Sequence, residues 1–460
     1  MAAARPAAAP QGADVLSTTE VPPAPGRLPG LGHLLPLWRA PLKTFRSLDA
    51  HGPVVRLDVA GWSVHMLTRP ELVRRVLVTD TGAFTKGRMF DVIKPLFRDG
   101  LLAADGETQR RQRCLVQPAF HHHRIAACAP TMARLARELS DSWQSGQVLR
   151  VHPVMHQLTL ATVADIMFTS ALAPAAVDDI CRAMPVLMRG ILAHALTPGP
   201  LAHIPTPAKR RFTRAVTDTH HRIDEIIDAH QDNPDRPDLL SALLAARDSD
   251  TDAPMTRDQL HDEVIGIFLA GTETSGTFLA WFFHELATRP EIERRVFTEV
   301  DTVIGERPVT YERTAQLHYT ARVVKEVLRQ RPNLLLTYTV TRPVHLGDHL
   351  LPPGAEVGYS PYGIHHSEAF YPDPDRFDPD RWLPDRNTLP PLAFLPFSAG
   401  RTRCVGDHFG WVEMLIAIAT ICRRWRLRPV PGHTAKPVPA AFIEPGDLRL
   451  MATPRRAGGQ

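Results

Sequence analysis

The sequence has few cysteines and little net charge, and its N-terminal region lacks a long apolar run. The five cysteines, at positions 114, 128, 181, 404 and 422, form no C-x-x-C pair and no spacing typical of a metal site. This usage argues against a disulfide framework and suits a reducing compartment. The formal net charge of +4 is small for 460 residues, so bulk electrostatics give no reason to expect a nucleic-acid partner.

The first 25 residues are rich in alanine and proline and contain almost no large apolar side chains. A secretory signal needs an apolar central stretch, and a membrane anchor needs about 20 apolar residues; this segment offers neither. We therefore expect a disordered tail over residues 1–25, no membrane association and a cytoplasmic protein. No linker-like composition interrupts the rest, so residues 26–460 should form one large α-rich domain.

A glycine-bearing loop places one cysteine directly before a helix. The segment reads Phe397-Ser-Ala-Gly-Arg-Thr-Arg-Cys404-Val-Gly406, and an apolar helix is predicted from about Asp407 to Arg423. Free N–H groups and the positive end of a helix dipole favour thiolate over thiol. Such a thiolate is a good axial ligand for haem iron, whereas an isolated cysteine is more often a buried or redox-sensing residue. The loop alone is compatible with both.

A second unusual segment lies inside a long predicted helix. Thr256 and Gln259 have the spacing of a capping box, and Pro290 ends the helix, which should reach about residue 288. At about 1.5 Å per residue the helix would be close to 50 Å long. Glycines weaken its interior, and hydroxyl side chains can bend it by bonding to preceding carbonyl oxygens. These residues are Gly266, Gly271, Thr272, Thr274, Ser275, Gly276 and Thr277.

Three further segments complete a set whose order and spacing are informative. They are Arg110-Arg-Gln-Arg113, Glu326-Val-Leu-Arg329 and Pro374-Asp-Arg376-Phe377. Each is weak alone, because an E-x-x-R pair is usually an ordinary salt bridge on a helix. Together with the Cys404 loop and Ala270-Gly-Thr-Glu-Thr274, they resemble the bacterial haem-thiolate monooxygenases of the cytochrome P450 family. The resemblance extends over about residues 29–450.

The resemblance implies a mainly α fold with small β-sheets (α+β), a single triangular-prism domain crossed by a long central helix. It implies haem b (iron protoporphyrin IX) as cofactor, with Cys404 as the axial ligand of the iron. The implied catalytic segment is Gly271, Glu273 and Thr274, in which Thr274 stabilises bound oxygen and Glu273 helps to supply protons. The implied reaction inserts one oxygen atom of O₂ into a C–H or C=C bond.

The same resemblance assigns residues around the cofactor. The expected cofactor-binding residues are Cys404, Arg113, Gln109, Tyr338, Thr402, Phe397, Gly400 and Gly406. Gln109, Tyr338 and Thr402 depart from the family pattern, since relatives carry an aromatic residue or histidine at the first position and cations at the other two. Of the usual cationic clamp on the haem propionates only Arg113 remains, unless a neighbour such as Arg401 compensates.

A buried network is also implied by the resemblance. Glu326 and Arg329 would join Arg376 and fix the loop that carries Cys404. Such a network is costly to break, because removing one partner strands an unpaired buried charge.

The substrate is expected to be apolar. The segments around Ser360, Asp380 and Phe397 look most like bacterial monooxygenases that oxidise terpenes, particularly cyclic sesquiterpenes. The expected pocket residues are Phe84, Met89, Phe90, Ile93, Phe268, Ala270, Leu335 and Phe442. The alternatives are oxidation of a polyketide, macrolide or fatty acid, or a non-catalytic haem-binding module. The Glu273-Thr274 pair argues against the last of these.

No flavin or iron–sulfur module is recognisable in the sequence. We therefore expect electrons to come from a ferredoxin and its ferredoxin reductase, which draws on NAD(P)H. Arginines near the cysteine loop, among them Arg110 and Arg403, would give an acidic ferredoxin a basic docking face. The protein is expected to be a monomer.

Overall fold

Helices and small sheets alternate along the chain in this computed structural model, which describes residues 20–168, parts of 179–191, 205–231, 238–248 and 251–455. The α-helices are Leu34–Arg39 (α1), Pro41–Ser47 (α2), Pro70–Arg74 (α3), Arg88–Asp91 (α4), Lys94–Phe97 (α5), Gly106–Val116 (α6), His122–Asp141 (α7), Val151–Phe168 (α8), Pro207–Gln231 (α9), Leu239–Leu244 (α10), Arg257–Thr288 (α11), Pro290–Val303 (α12), Tyr311–Thr314 (α13), His318–Gln330 (α14), Pro361–His365 (α15) and Asp407–Arg424 (α16). Within this described part, no helix combines the length and apolarity that a membrane span requires. The expected mainly α architecture with small sheets is confirmed.

Small sheets flank the helices. The strands are Val54–Val59 (β1), Trp62–Leu67 (β2), Phe84–Lys86 (β3), Val148–Arg150 (β4), Leu336–Val340 (β5), Val344–Leu346 (β6), His349–Leu351 (β7), Glu356–Tyr359 (β8), Trp425–Pro429 (β9), Val438–Pro439 (β10), Ile443–Glu444 (β11) and Arg449–Pro454 (β12). The largest sheet has the order β1-β2-β8-β5-β3, in which only β2 and β8 run parallel. Its β3–β5 pairing sets Lys86 opposite Tyr338, beside the cysteine loop.

The start of the domain lies earlier than the sequence suggested. Val21 and Ala24 are 5% and 4% exposed. The segment pairs with Arg56 of β1, whose N–H donates to Pro22 and whose carbonyl accepts from Ala24 at 2.8 Å in both cases. Backbone pairing along a strand edge needs no large side chains, which is why a composition rich in Ala and Pro did not reveal it. The boundary expected at residue 25 is therefore too late.

The central helix α11 crosses the core, as predicted. Thr256 Oγ1 accepts from the Gln259 N–H at 3.2 Å and Gln259 Oε1 accepts from the Thr256 N–H at 2.9 Å, which completes the capping box. Its 32 residues correspond to about 48 Å. Thr274 and Thr277 bond to carbonyl oxygens four residues earlier, at 3.0 and 2.9 Å. The helix continues without interruption through these residues, so the hydroxyl bonds accompany the helical bonds.

One buried ion network holds the proline-rich segment that precedes the cysteine loop. Glu326 and Arg329 are fully buried and share two hydrogen bonds, at 2.8 and 3.0 Å. Arg381 Nε and Trp382 Nε1 donate to the same carboxylate at 3.1 and 3.0 Å. The side chain of Arg376 is exposed, and only its carbonyl takes part, accepting from Arg329 and Arg381.

The prediction that Arg376 supplies the third charge of the network is therefore wrong. Arg381 takes this place, because the short 3₁₀ turn Pro379–Trp382 directs two donors toward Glu326. The carboxylate thus has four charged or indole hydrogen bonds and no unpaired oxygen, which offsets the cost of burying it.

We predict that the free energy of unfolding depends on Arg381 and not on Arg376. Glu326→Ala should lower the free energy of unfolding by about 3–5 kcal/mol, because it leaves a fully buried Arg329 without its partner. Arg381→Ala should cost about 2 kcal/mol through the loss of a charged hydrogen bond, whereas Arg376→Ala should stay within about 0.5 kcal/mol. Urea unfolding followed by tryptophan fluorescence measures all three. A cost for Arg376→Ala equal to that of Arg381→Ala would contradict the assignment.

Candidate functional site

The cysteine loop has its conformation fixed by close packing. Gly400 has φ +58°, and a Cβ there would lie 1.9 Å from the carbonyl oxygen of Leu77. The Cys404 N–H donates to the Phe397 carbonyl at 2.9 Å, which closes the loop on itself. Any other residue at position 400 would therefore push the loop away from Leu77.

Cys404 keeps solvent-accessible area, although protein surrounds most of its sulfur. This burial raises the pKa of the thiol, while the Gly406 N–H, Arg113 and Arg403 act in the opposite direction and only partly offset it. In the polypeptide by itself, the N–H group at the helix start thus favours the thiolate as expected but does not outweigh burial. A cation bound at sulfur would supply the missing stabilisation.

Two side chains of α6 hold the loop from one side. Gln109 is buried and its Nε2 donates to the Arg401 carbonyl at 2.7 Å. Arg113 Nη1 donates to the carbonyls of Arg401 and Arg403 at 3.2 and 2.6 Å. Both residues expected at the cofactor thus anchor the backbone around Cys404, and a guanidinium in this position keeps further N–H groups for a carboxylate.

A group of neutral hydroxyls lies where relatives carry cations. Thr402 Oγ1 is 3.4 Å from Tyr338 Oη and 3.2 Å from Ser398 Oγ. Tyr338 is buried, and its ring stacks on that of Tyr359 with centroids 6.4 Å apart. The immediate hydrogen-bond partners at both departure positions are therefore neutral hydroxyls.

Cations do border this hydroxyl group. Arg401 donates to the Phe84 carbonyl at 2.6 Å and lies 3.6 Å from Asp105. Lys86 donates through Nζ to the carbonyls of Leu101 and Leu102, and burial lowers its pKa to about 8. No sequence signal pointed to Lys86, because only the β3–β5 register brings it opposite Tyr338.

The middle of α11 carries an accessible stripe in an otherwise buried helix. Ala270 is exposed, and Gly266, Ile267, Gly271 and Thr274 are partly so. At about 100° per residue these positions share one face of the helix. Gly410 of α16, six residues after Cys404, lies against Ser275, so the helix that follows the cysteine loop packs on α11 next to Thr274.

Glu273 lies at the edge of the stripe, between Thr274 and the face that packs on α8. Burial raises its pKa to about 7, with a further contribution from Glu444 of β11. Near neutral pH this carboxyl is therefore close to half protonated, which suits a group that gives and takes a proton.

Six of the eight expected pocket residues present accessible apolar surface: Met89, Phe90, Ile93, Ala270, Leu335 and Phe442. Phe84 and Phe268 do not. Phe84 is 2% exposed within the sheet core, and Phe268 is fully buried against Phe168, with centroids 5.9 Å apart. The expectation that these two rings line the pocket is not supported, because packing covers both.

One buried acid also escaped the sequence analysis. Glu413 on α16 is 2% exposed, and burial raises its pKa to about 8. Ser275 of α11 is the nearby hydroxyl that opposes this shift, although neither carboxyl oxygen of Glu413 has a partner in hydrogen-bond geometry among the described residues. Glu413 lies inside the apolar helix α16 and belongs to no recognisable motif, so the sequence offered no signal for it.

A fixed cysteine loop and a central helix with an acid–hydroxyl pair and accessible apolar surface are the parts that a haem-thiolate oxygenase needs. Residues 22–448 match the family described as Cytochrome P450, and the chain belongs to this family. Its cofactor is haem. The residues fit that group: one accessible sulfur, backbone N–H groups and a guanidinium near it, and neutral or cationic donors for carboxylates.

The relatives extend over nearly the whole chain. Cyclooctatin synthase of Streptomyces melanosporofaciens is 40% identical, covering 94% of this chain and 95% of that protein. Cyclooctat-9-en-7-ol 5-monooxygenase of the same organism is 38% identical with the same coverage. Pentalenene oxygenase of Streptomyces avermitilis is 34% identical over 95% of this chain and 98% of its own. The heme domain of cytochrome P450DA superposes with a TM-score of 0.85 at 24% identity, over 95% of this chain and 98% of that one, which supports the fold.

We predict that Arg113 is needed to retain haem. Arg113→Ala removes two charged hydrogen bonds from the loop carbonyls and should speed haem transfer to apomyoglobin by about tenfold or more, since each such bond is worth about 1.5–3 kcal/mol. Arg110→Ala is the matched control, because Arg110 lies on the same helix, its side chain is 62% exposed and it pairs with Glu107. Equal transfer rates for the two variants would refute the role of Arg113.

Proposed function

We propose that this cytochrome P450 monooxygenase oxidises an apolar terpene, with Cys404 as the axial ligand of its haem iron. The observation that carries the proposal is an exposed Cys404 directly before α16, the helix that packs on α11 next to Glu273 and Thr274. The substrate class is supported by the three relatives named above, which are terpene monooxygenases.

When bound, haem supplies the activation of O₂ that the protein side chains cannot perform. Cys404 would hold the iron from the loop, and Arg113 and Gln109 would keep that loop rigid. Thr274 lies on the accessible stripe, and its hydroxyl can hold a hydrogen-bonded oxygen or water when it turns away from the Ala270 carbonyl, to which it donates at 3.0 Å. Glu273, one residue earlier, would store and donate the proton, because its pKa is about 7.

The apolar residues that remain accessible suit a hydrocarbon better than a charged substrate. Met89, Phe90 and Ile93 come from the segment around α4, while Leu335 and Phe442 come from the opposite end of the chain. Phe442 is held edge-on by Phe278, with centroids 5.7 Å apart. A lining of this kind fixes a rigid cyclic hydrocarbon by shape, and few polar groups are needed.

As a monooxygenase of this family the protein takes electrons from a partner and consumes O₂. A ferredoxin with its reductase is the donor we propose. The arginines beside the cysteine loop are paired with carboxylates, as in Arg403–Asp407 at 2.6 Å and Arg111–Asp248 at 2.9 Å. Arg403 and Arg110 still expose 64% and 62% of their side chains, so guanidinium groups remain available to an acidic surface.

The ligand role of Cys404 predicts a spectral result. Reduced Cys404→Ala with carbon monoxide should lack the red-shifted Soret band that thiolate ligation produces, because no sulfur donor replaces the deleted one. Cys114→Ala is the control, since Cys114 is also exposed but lies on α6. Retention of the red-shifted band in Cys404→Ala would remove Cys404 from the site.

The substrate class predicts a binding result. Cyclic terpenes should shift the Soret band of the ferric protein with a dissociation constant on the order of micromolar, within the usual range of enzyme substrates. Phe442→Leu should weaken this binding, whereas Phe268→Leu, a change in the packed core, should not. A response to polyketides, macrolides or fatty acids instead would assign one of those substrates, and no response with no turnover would favour a non-catalytic haem protein.

A further inference from the structure

Two histidines of α8 meet α11 one turn from Thr274. Their rings pack edge-to-face, with centroids of His152 and His156 4.3 Å apart. Their Nε2 atoms lie 3.1 and 3.3 Å from Thr277 Oγ1. His156 Nδ1, on the other side of its ring, lies 3.4 Å from Glu273 Oε2.

The packing of α11 accommodates His156 specifically. A Cβ at Gly276 would come within 2.5 Å of His156 Cδ2 and 3.0 Å of its Cα. Backbone and ring atoms both lie in the way, so no small shift would relieve the contact. Gly276 therefore lets this histidine lie against the helix at the level of Glu273 and Thr277.

The bonds of Thr277 determine which nitrogen of His156 carries the proton. The Thr277 hydroxyl donates its single proton to the Glu273 carbonyl at 2.9 Å. Its oxygen can then only accept, so His152 and His156 must both donate through Nε2–H. A neutral His156 consequently presents a lone pair at Nδ1, and that lone pair faces Glu273.

We propose that His156 is a positioning residue whose Nδ1 accepts a hydrogen bond from the protonated carboxyl of Glu273 and so holds a protonated Glu273 at the edge of the accessible stripe. This inference rests on the proposed role of Glu273 as proton donor. At 3.4 Å the contact is at the outer limit of hydrogen bonding, and a small rotation about the soft terminal torsion of Glu273 closes it.

The electrostatics of the cluster agree with a bond between neutral groups. Burial lowers the pKa of His156 to about 3, with His152 adding to the effect, and burial lowers that of His152 to about 4. Both rings are therefore neutral at pH 7. Burial and Glu444 raise the pKa of Glu273 to about 7, and a hydrogen bond from its neutral form favours that form further. Donation of the proton leaves a carboxylate, which regains one from solvent because Glu273 is 20% exposed.

The proposal is tested by infrared spectroscopy of the reduced, carbon monoxide-bound holoenzyme as a function of pH. Protonated Glu273 should contribute a carboxylic C=O band that is absent in Glu273→Gln. His156→Leu should shift this band to higher frequency and lower the pH at which it disappears by about one unit, because one hydrogen bond of ordinary strength to the protonated form is lost.

Thr277→Val provides a second, independent variant. Without the hydroxyl, His156 can move its proton to Nδ1 and donate to the carboxylate, so the band should again disappear at lower pH. His152→Leu is the matched control, because it removes a ring of the same cluster that does not contact Glu273, and the band should keep its frequency. An unchanged band in both His156→Leu and Thr277→Val would overturn the proposal and leave burial alone to protonate Glu273.

Coupling of electrons to product separates this inference from the proposed role of Glu273. If Glu273 donates the proton, Glu273→Gln and Thr274→Ala should form less product per NADPH, and His156→Leu should lose coupling at a lower pH than the parent. Normal coupling in Glu273→Gln together with the infrared shifts would refute the proton-donor role and leave the His156 bond in place. An unchanged infrared band in His156→Leu and Thr277→Val, together with poor coupling in Glu273→Gln, would refute the His156 bond and support the proton-donor role of Glu273.

Discussion

The site depends on the fixed conformation of one loop. Gly400 fits against the Leu77 carbonyl, the Cys404 N–H bonds to Phe397, and Gln109 and Arg113 hold two carbonyls from α6. All of these contacts involve backbone atoms of the loop, and none involves the sulfur itself. They decide where the thiol points and what can approach it, and every other feature of the site is arranged with respect to that position.

Buried charges in this protein lie where other groups can meet them. Arg381, not Arg376, bonds to the buried Glu326, and the hydroxyls of Tyr338 and Thr402 bond to each other. Arg113 donates to two carbonyls of the loop backbone. The common reason is burial: a charge in the interior must have partners, so it is kept only where a second charge or several carbonyls can meet it.

The same burial tunes the acid on the central helix. Glu273 lies near enough to solvent to exchange protons, yet the surrounding protein raises its pKa to about 7. His156 Nδ1 faces this carboxyl from the α8 side, while Thr274 lies on the accessible side. The acid of the central helix thus lies between a histidine ring and the accessible stripe.

Local pattern was sufficient for the long elements and the chemistry-bearing segments. The capping box of α11, the β1–β2 hairpin and the apolar helix after Cys404 were predictable, because each depends on neighbours within a few residues. The sequence alone also determined the motif set, and hence the family. Only the tertiary structure decided that Arg381 pairs with Glu326, that Phe84 and Phe268 are covered, that Lys86 lies opposite Tyr338 and that His156 reaches Glu273. These contacts join residues far apart in the chain, and their geometry is set by packing that no local spacing records.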